Sequence, residues 1–141
     1  MSLDLIFPAS GSLLPTDHNY PLYGALSGIV PRFHEADGRL RFAPITGDPD
    51  GEGHLRLHGG SYLRVRVPDD AVRAALPLAG KKLDVAGHAV RLGVPAVRTL
   101  EPAPMLASRL VTFKNAETPE SFLATARKQL AELGVSGEPQ P

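Results

Sequence analysis

Along this chain the spacing of apolar residues changes several times, and each change marks an element. Leu3, Leu5 and Phe7 recur at every second position, with Asp4 and Ile6 between them, and stop at Pro8, which predicts a short first strand. After a turn-rich segment, 9–16, Asp17 or Asn19 can cap a helix with Pro21 in its first turn, where the missing N–H breaks no bond. Leu22, Leu26, Ile29 and Phe33 then fall at i, i+4, i+7 and i+11, a one-sided stripe, and Pro31 stops the helix at about Val30. His34 is left just past a helix end, before the turn Glu35-Ala36-Asp37-Gly38.

The period of two returns at 40–45. A Gly/Asp/Pro loop follows at 47–53, then His54–Leu57 and Ser61–Val67 alternate around Gly59-Gly60, a strand with a bulge or a hairpin. Asp69 or Asp70 can cap a short helix, Ala71–Leu78, that ends at Gly80, and residues 82–85 and 89–92 flank Ala86-Gly87-His88. This order predicts an α+β fold: a ferredoxin-like, RRM-like βαββαβ domain over residues 1–95. The proline-punctuated stretch 96–105 reads as a linker. Residues 106–114 look like a fresh strand, and Thr118 caps a helix with Pro119 at its first position, Phe122, Ala126, Leu130 and Leu133 on one face, and Gly134 past its end. One strand and one helix cannot bury their own apolar faces, so 106–141 is expected to be the truncated start of a second ferredoxin-like domain.

Composition narrows the chemistry. Apolar residues make up 43% of the chain, enough for a core, and the absence of cysteine removes disulfides, thiolate metal sites and a cysteine nucleophile. The apolar run at the N-terminus is too short for a secretory or spanning segment, so a cytoplasmic protein without membrane contact is expected. The net charge of zero hides a strong asymmetry. Residues 1–53 carry three Arg/Lys against seven Asp/Glu (net −4), residues 54–114 ten against four (net +6) and residues 115–141 two against four (net −2). The middle block contains Arg56, Arg64, Arg66, Lys81 and Lys82, which with Arg41 are candidates for an RNA-binding face, although scattered arginines on half-exposed strands are also ordinary.

His18, Tyr20, Tyr23, His34, Arg39 and Arg41 lie close together in and around the first helix. A metal-free ribonuclease needs such a set, a proton carrier together with donors or cations for a phosphate. Histidine suits the first task. A lone histidine after a helix is more often a cation near the last carbonyls, and His18 is more readily a cap than a proton carrier. His54 and His58 are four apart in a strand-like stretch without a third ligand, so no metal and no cofactor are expected. Phe42, Tyr62 and Phe113 are either core residues or platforms for bases.

The stretch His18-Asn19-Tyr20-Pro21-Leu22-Tyr23-Gly24-Ala25-Leu26-Ser27, followed by Val30-Pro31-Arg32-Phe33-His34-Glu35-Ala36-Asp37-Gly38, resembles the first helix and loop of the CRISPR-associated endoribonucleases that cut repeat RNA into guide units, the sixth family of Cas proteins. The Leu78-Ala79-Gly80-Lys81 turn and Arg109-Leu110-Val111-Thr112 extend the similarity, which is greatest to the myxobacterial-type branch. The resemblance implies two tandem ferredoxin-like domains and metal-independent cleavage of the CRISPR repeat RNA hairpin by 2′-OH attack, leaving a cyclic phosphate. It puts His34 at the catalytic position, with Tyr20 or Tyr23 as the accompanying tyrosine and Arg39 as the phosphate-stabilising cation.

The family's glycine-rich loop near the C-terminus has no counterpart after Gly134. The chain is therefore expected to be an N-terminal portion, partial or inactive by itself. Other Cas effector subunits and a second copy of the chain join the RNA as expected partners. The alternative reading is a non-catalytic RNA- or protein-binding ferredoxin-like module of an effector complex, and a small-molecule-binding regulator is a third.

Overall fold

The computed structural model describes residues 1–35, 37–108 and 111–140, and in it the first strand runs past the predicted stop. β1 (Ser2–Ser10) passes straight through Pro8. The ladder explains why. The Ala9 N–H donates to the Ser61 carbonyl at 2.9 Å, so Pro8 faces the opposite edge, where its carbonyl accepts the Gly93 N–H at 2.8 Å. There the missing donor of proline breaks no rung.

β1 is the spine of the larger sheet. It pairs antiparallel with β6 (Tyr62–Pro68) from Ser2↔Pro68 to Pro8↔Tyr62, and β6 pairs in turn with β3 (Arg41–Phe42). On its other edge β1 takes β9 (Ala96–Thr99) at residues 3–6 and β8 (His88–Leu92) at residues 9–10. The stretch expected as a linker thus contributes a strand. All four β9 residues are exposed, so backbone pairing holds it and the side chains carry no apolar pattern to reveal it.

β7 (Lys82–Val85) and β8 form the expected hairpin. Ala86 and Gly87 at its tip have φ of 53° and 82°, the pair of positive angles that matches strand twist, and Asp84 Oδ1 accepts the Gly87 N–H at 2.7 Å.

A second, three-stranded sheet holds β2 (Leu13–Pro15), β5 (His54–Arg56) and β4 (Asp48–Pro49), with β5 in the middle. The alternating runs on either side of Gly59-Gly60 therefore belong to different sheets, and neither a bulge nor a hairpin joins them. Alternation reports which face is buried and says nothing about the partner strand. The strand expected over 40–45 is likewise reduced to β3, because Pro44 cannot donate and the next N–H, of Ile45, goes to a side chain.

α1 (Asn19–Ile29) ends at Val30, and Pro31–His34 continue as one 3-10 turn. Asp17 and Asn19 are not its caps: His18 holds that position and makes no capping bond. α2 (Val72–Ala75) is one turn flanked by 3-10 segments at Asp69–Ala71 and Leu76–Leu78, shorter than the 71–78 helix predicted because Pro77 interrupts the bonding. Leu5, Phe7, Leu63, Val65 and Val67 from the sheet pack with Leu22 and Leu26 of α1 and with Leu78, Val85, Val90 and Leu92. Each such side chain contributes about 1.5–3 kcal/mol of apolar burial. The alternate positions of the same strands, Asp4, Arg64 and Arg66, point to the other face.

The chain divides into two compact units, Met1–Glu101 and Pro102–Pro141. In the second, the strand expected over 106–114 is absent among the described residues; Arg109 and Leu110 lie outside them. α3 (Pro119–Glu132) begins as predicted, with Thr118 and Ser121 exchanging side-chain and backbone hydrogen bonds in a capping box. Phe122 on α3 meets Phe113 with ring centroids 4.8 Å apart, and no α3 residue is fully buried. No helix among the described residues is long and apolar enough to cross a membrane.

Candidate active site

Pro31 sets the site. It ends α1 but allows one tighter turn, which buries Phe33 in the core and leaves the next residue, His34, exposed. Tyr23 sits eleven residues earlier in α1, on the flank of the Leu22/Leu26 stripe. Its hydroxyl and His34 Nδ1 share a 2.6 Å hydrogen bond, with the rings edge to face at 5.0 Å. Phe42, on the edge strand β3, stacks on Tyr23 at 6.4 Å with 21° between the planes and meets Phe33 edge-on at 5.9 Å. An aromatic wedge thus supports the pair from below. Nδ1 is spent on Tyr23, and Nε2 has no protein partner among the described residues.

The other members of the expected set are placed differently. Tyr20 is 85% exposed and forms no hydrogen bond or ring contact with His34. The Arg39 Nη2 donates to both carboxylate oxygens of Asp70, at 2.6 and 2.9 Å, so the cation expected to meet a phosphate already holds an anion. That guanidinium keeps the Asp70 carboxyl below its ordinary range. Asp70, expected as a helix cap, caps nothing with its side chain.

His18 is neither an exposed proton carrier nor a side-chain cap. It is 1% exposed, its Nδ1 lies 2.8 Å from the Pro15 carbonyl, and its Nε2 accepts the Ile45 N–H at 2.9 Å. A carbonyl on one side and an amide on the other require the Nδ1–H tautomer. Nδ1 ties the start of α1 to the end of β2, and Nε2 ties it to the chain leaving β3.

The six expected RNA-binding cations separate into three groups. Arg41, Arg64 and Arg66 line one depression with Phe42 and Ala43 on the outer face of β3 and β6. Cross-strand register places Arg41, Arg66, Asp4 and Arg98 in one row over β3, β6, β1 and β9. Asp4, buried within it, takes the Arg66 guanidinium on both oxygens at 2.8 and 3.0 Å. That bond holds the Asp4 carboxyl below its ordinary range despite its burial, with the Arg64 charge adding to the effect. Arg56 is on the small sheet, and Lys81 and Lys82 are at the far edge strand, β7.

Sequence reasoning missed Asp4, Asp70 and the support Phe42 gives to Tyr23. Alternation on β1 and β6 could have put Asp4 and Arg66 on one face, but not opposite each other. His54 pairs with Asp50 at 3.6 Å and His58 with Asp48 at 3.9 Å; among the described residues no three such side chains are arranged to hold a metal ion.

Comparison with known proteins gives this chain relatives. The Cas6 family profile, described as Cas6 Crispr, matches residues 3–140. The CRISPR-associated endonuclease Cas6 of Myxococcus xanthus (strain DK1622) is 41% identical over 133 residues, which cover 94% of this chain and 57% of that protein. The chain therefore spans a little over half the length of that relative. A solved CRISPR associated protein Cas6 superposes with a TM-score of 0.53 at 16% identity, covering 97% of this chain and 73% of the other, and shows a shared mixed α/β fold with an antiparallel sheet. A family match over nearly the whole sequence, and a relative this similar, show that the chain belongs to the Cas6 family.

Proposed function

We propose that this chain carries the catalytic half of a metal-independent endoribonuclease that cuts CRISPR repeat RNA, with His34 as the proton carrier and Tyr23 as its partner. The observation that carries the reading is the Tyr23–His34 hydrogen bond, which spends Nδ1 and leaves Nε2 open on an exposed turn. In the reaction the RNA's own 2′-oxygen attacks the adjacent phosphorus and loses its proton, the O2′–P bond forms, and the P–O5′ bond breaks as the departing oxygen is protonated. Tyr23 accepts from Nδ1–H in either role: the neutral ring has a lone pair at Nε2 that can take the 2′-proton, and the imidazolium has an Nε2–H that can protonate the departing oxygen. Arg41, Arg64 and Arg66 supply an adjacent face for the RNA backbone. Tyr20 is the weaker of the two tyrosines here, being exposed and without a hydrogen bond or ring contact to His34.

The fold is further proposed to be a βαββαβ unit made of β1, α1, β3, β6, α2 and the β8–β9 edge, a reading supported by the placement of β6 between β3 and β1 with the last strands across β1. Residues 106–141, with α3, are read as the opening of a second such unit. A cytoplasmic location is read with them.

Cleavage of a repeat-hairpin RNA with a chelator present is expected to leave a 2′,3′-cyclic phosphate on the upstream fragment. A 3′-hydroxyl there would contradict 2′-OH attack. A second reading, an RNA-binding module without catalysis, rests on the arginine face alone; it is favoured if binding weakens on Arg64→Ala but no product forms.

A further inference from the structure

Arg39 is the first cation after His34 in sequence, yet its guanidinium is already paired with a carboxylate. We propose that Arg39 and Asp70 form a brace that holds the His34 turn against Tyr23, making Arg39 a positioning residue and not a cation for the scissile phosphate. The proposal rests on the catalytic reading of His34 only for its consequence in cleavage; the brace itself stands on geometry.

Three observations support it. First, the contact is well made: one guanidinium nitrogen reaches both oxygens of Asp70, and Asp37 adds a second carboxylate 3.9 Å from Nε. Second, hydrogen bonds connect the described residues on the two sides of position 36, so that fixing Arg39 restrains the His34 side. The Arg39 N–H donates to Asp37 Oδ1 at 3.0 Å, the Gly38 N–H to the Glu35 carbonyl at 3.2 Å, and the Glu35 N–H to the Arg32 carbonyl at 3.2 Å. Gly38 makes this turn with φ of 57°, and its carbonyl accepts from Arg41 Nε at 3.1 Å. Third, the anchor is itself fixed. Asp70 lies between Asp69, whose N–H donates to the Met1 carbonyl at 3.0 Å, and Ala71, which is 2% exposed; the turn directly follows β6.

The His34 turn is thus tied down by Tyr23 at its beginning and by Arg41 and Asp70 towards its end. To reach a phosphate, Arg39 would have to give up Asp70. Arg41 and Arg64 have no carboxylate partner among the described residues and are the cations available for that task.

The test uses the whole chain and the variants Arg39→Ala, Asp70→Ala and the charge exchange R39D/D70R, with Arg39→Lys as the conservative control. Amide hydrogen exchange at Glu35, Gly38 and Arg39 is read by NMR, together with RNA affinity and single-turnover cleavage. Exposed ion pairs imply a rise in exchange of about two- to fivefold in each single variant. The exchanged pair should return protection to near the wild-type rate. Cleavage should fall equally in Arg39→Ala and Asp70→Ala, with RNA affinity unchanged in both.

The brace is overturned if Asp70→Ala leaves exchange unchanged. It is also overturned if Arg39→Ala weakens RNA binding while Asp70→Ala cuts as fast as wild type or faster, since releasing Arg39 would then help it reach a phosphate. Failure of the underlying reading looks different: cleavage insensitive to His34→Ala removes the catalytic role, while the exchange data still decide the brace.

Discussion

The two ends of α1 each carry a histidine, and the two differ in what their nitrogens are left to do. His18, at the start, is buried and has one nitrogen on the Pro15 carbonyl and the other on the Ile45 amide. His34, one turn beyond the end, is exposed and among the described residues has only Nδ1 engaged, by Tyr23. The same side chain is a strut where both nitrogens meet backbone and a candidate catalyst where one is free. Pro31 accounts for part of the contrast, since it breaks the helix and turns His34 outward, whereas the entry to α1 is folded back over the core. A polar group in a core is kept because its partners would be stranded without it, and a polar group in a site is kept because one of its atoms has no partner.

Variants at the two positions should therefore fail in different assays. The largest effect is expected from His34→Ala, a loss of about 10²–10⁴ in single-turnover cleavage with the unfolding midpoint unchanged. His18→Ala should cost about 2–4 kcal/mol in urea unfolding, because it strands the Ile45 N–H and the Pro15 carbonyl and leaves a cavity. Equal loss of stability in both variants would erase the distinction. Tyr23→Phe removes one hydrogen bond and should slow cleavage roughly three- to tenfold, with no change in RNA affinity.

Acid should separate the core from the site as well. The folded-state pKa of Asp4 is depressed, so its contribution is complete above the ordinary carboxylate range near pH 4 and is lost as pH falls through the depressed value. Asp4→Asn is thus expected to lose about 1–2 kcal/mol at pH 7, and the gap to wild type should narrow towards pH 2. Urea unfolding at several pH values measures it. Smallest is Arg64→Ala, expected to lower the salt slope of RNA binding by about 1 and to leave the cleavage rate of bound RNA unchanged.

Features decided by neighbours in sequence were legible before the structure. The β7–β8 hairpin, the Thr118 cap and the position of His34 past a proline-stopped helix all depend on a few adjacent residues. What could not be read depends on partners far along the chain. The stripe Leu22, Leu26, Ile29, Phe33 marks the buried side of α1, but Tyr23 beside it gains its role from Phe42 on another element. Asp70 looks like a helix cap in sequence because its partner Arg39 is 31 residues away. β9 is held by backbone pairing on an exposed edge, which leaves no pattern in side chains, and the split of 54–56 and 62–68 between two sheets leaves alternation intact in both.

The free nitrogen at the exposed end of α1 is expected to meet the RNA. Long-range ¹H–¹⁵N spectra of the imidazoles, recorded with and without a repeat RNA made uncleavable by 2′-deoxy substitution at the cleaved nucleotide, test it directly. The expected result is a shift of the His34 Nε2 resonance on RNA addition, while His18 keeps its Nδ1–H tautomer and its shifts. His34 resonances that do not respond to bound RNA would contradict the claim.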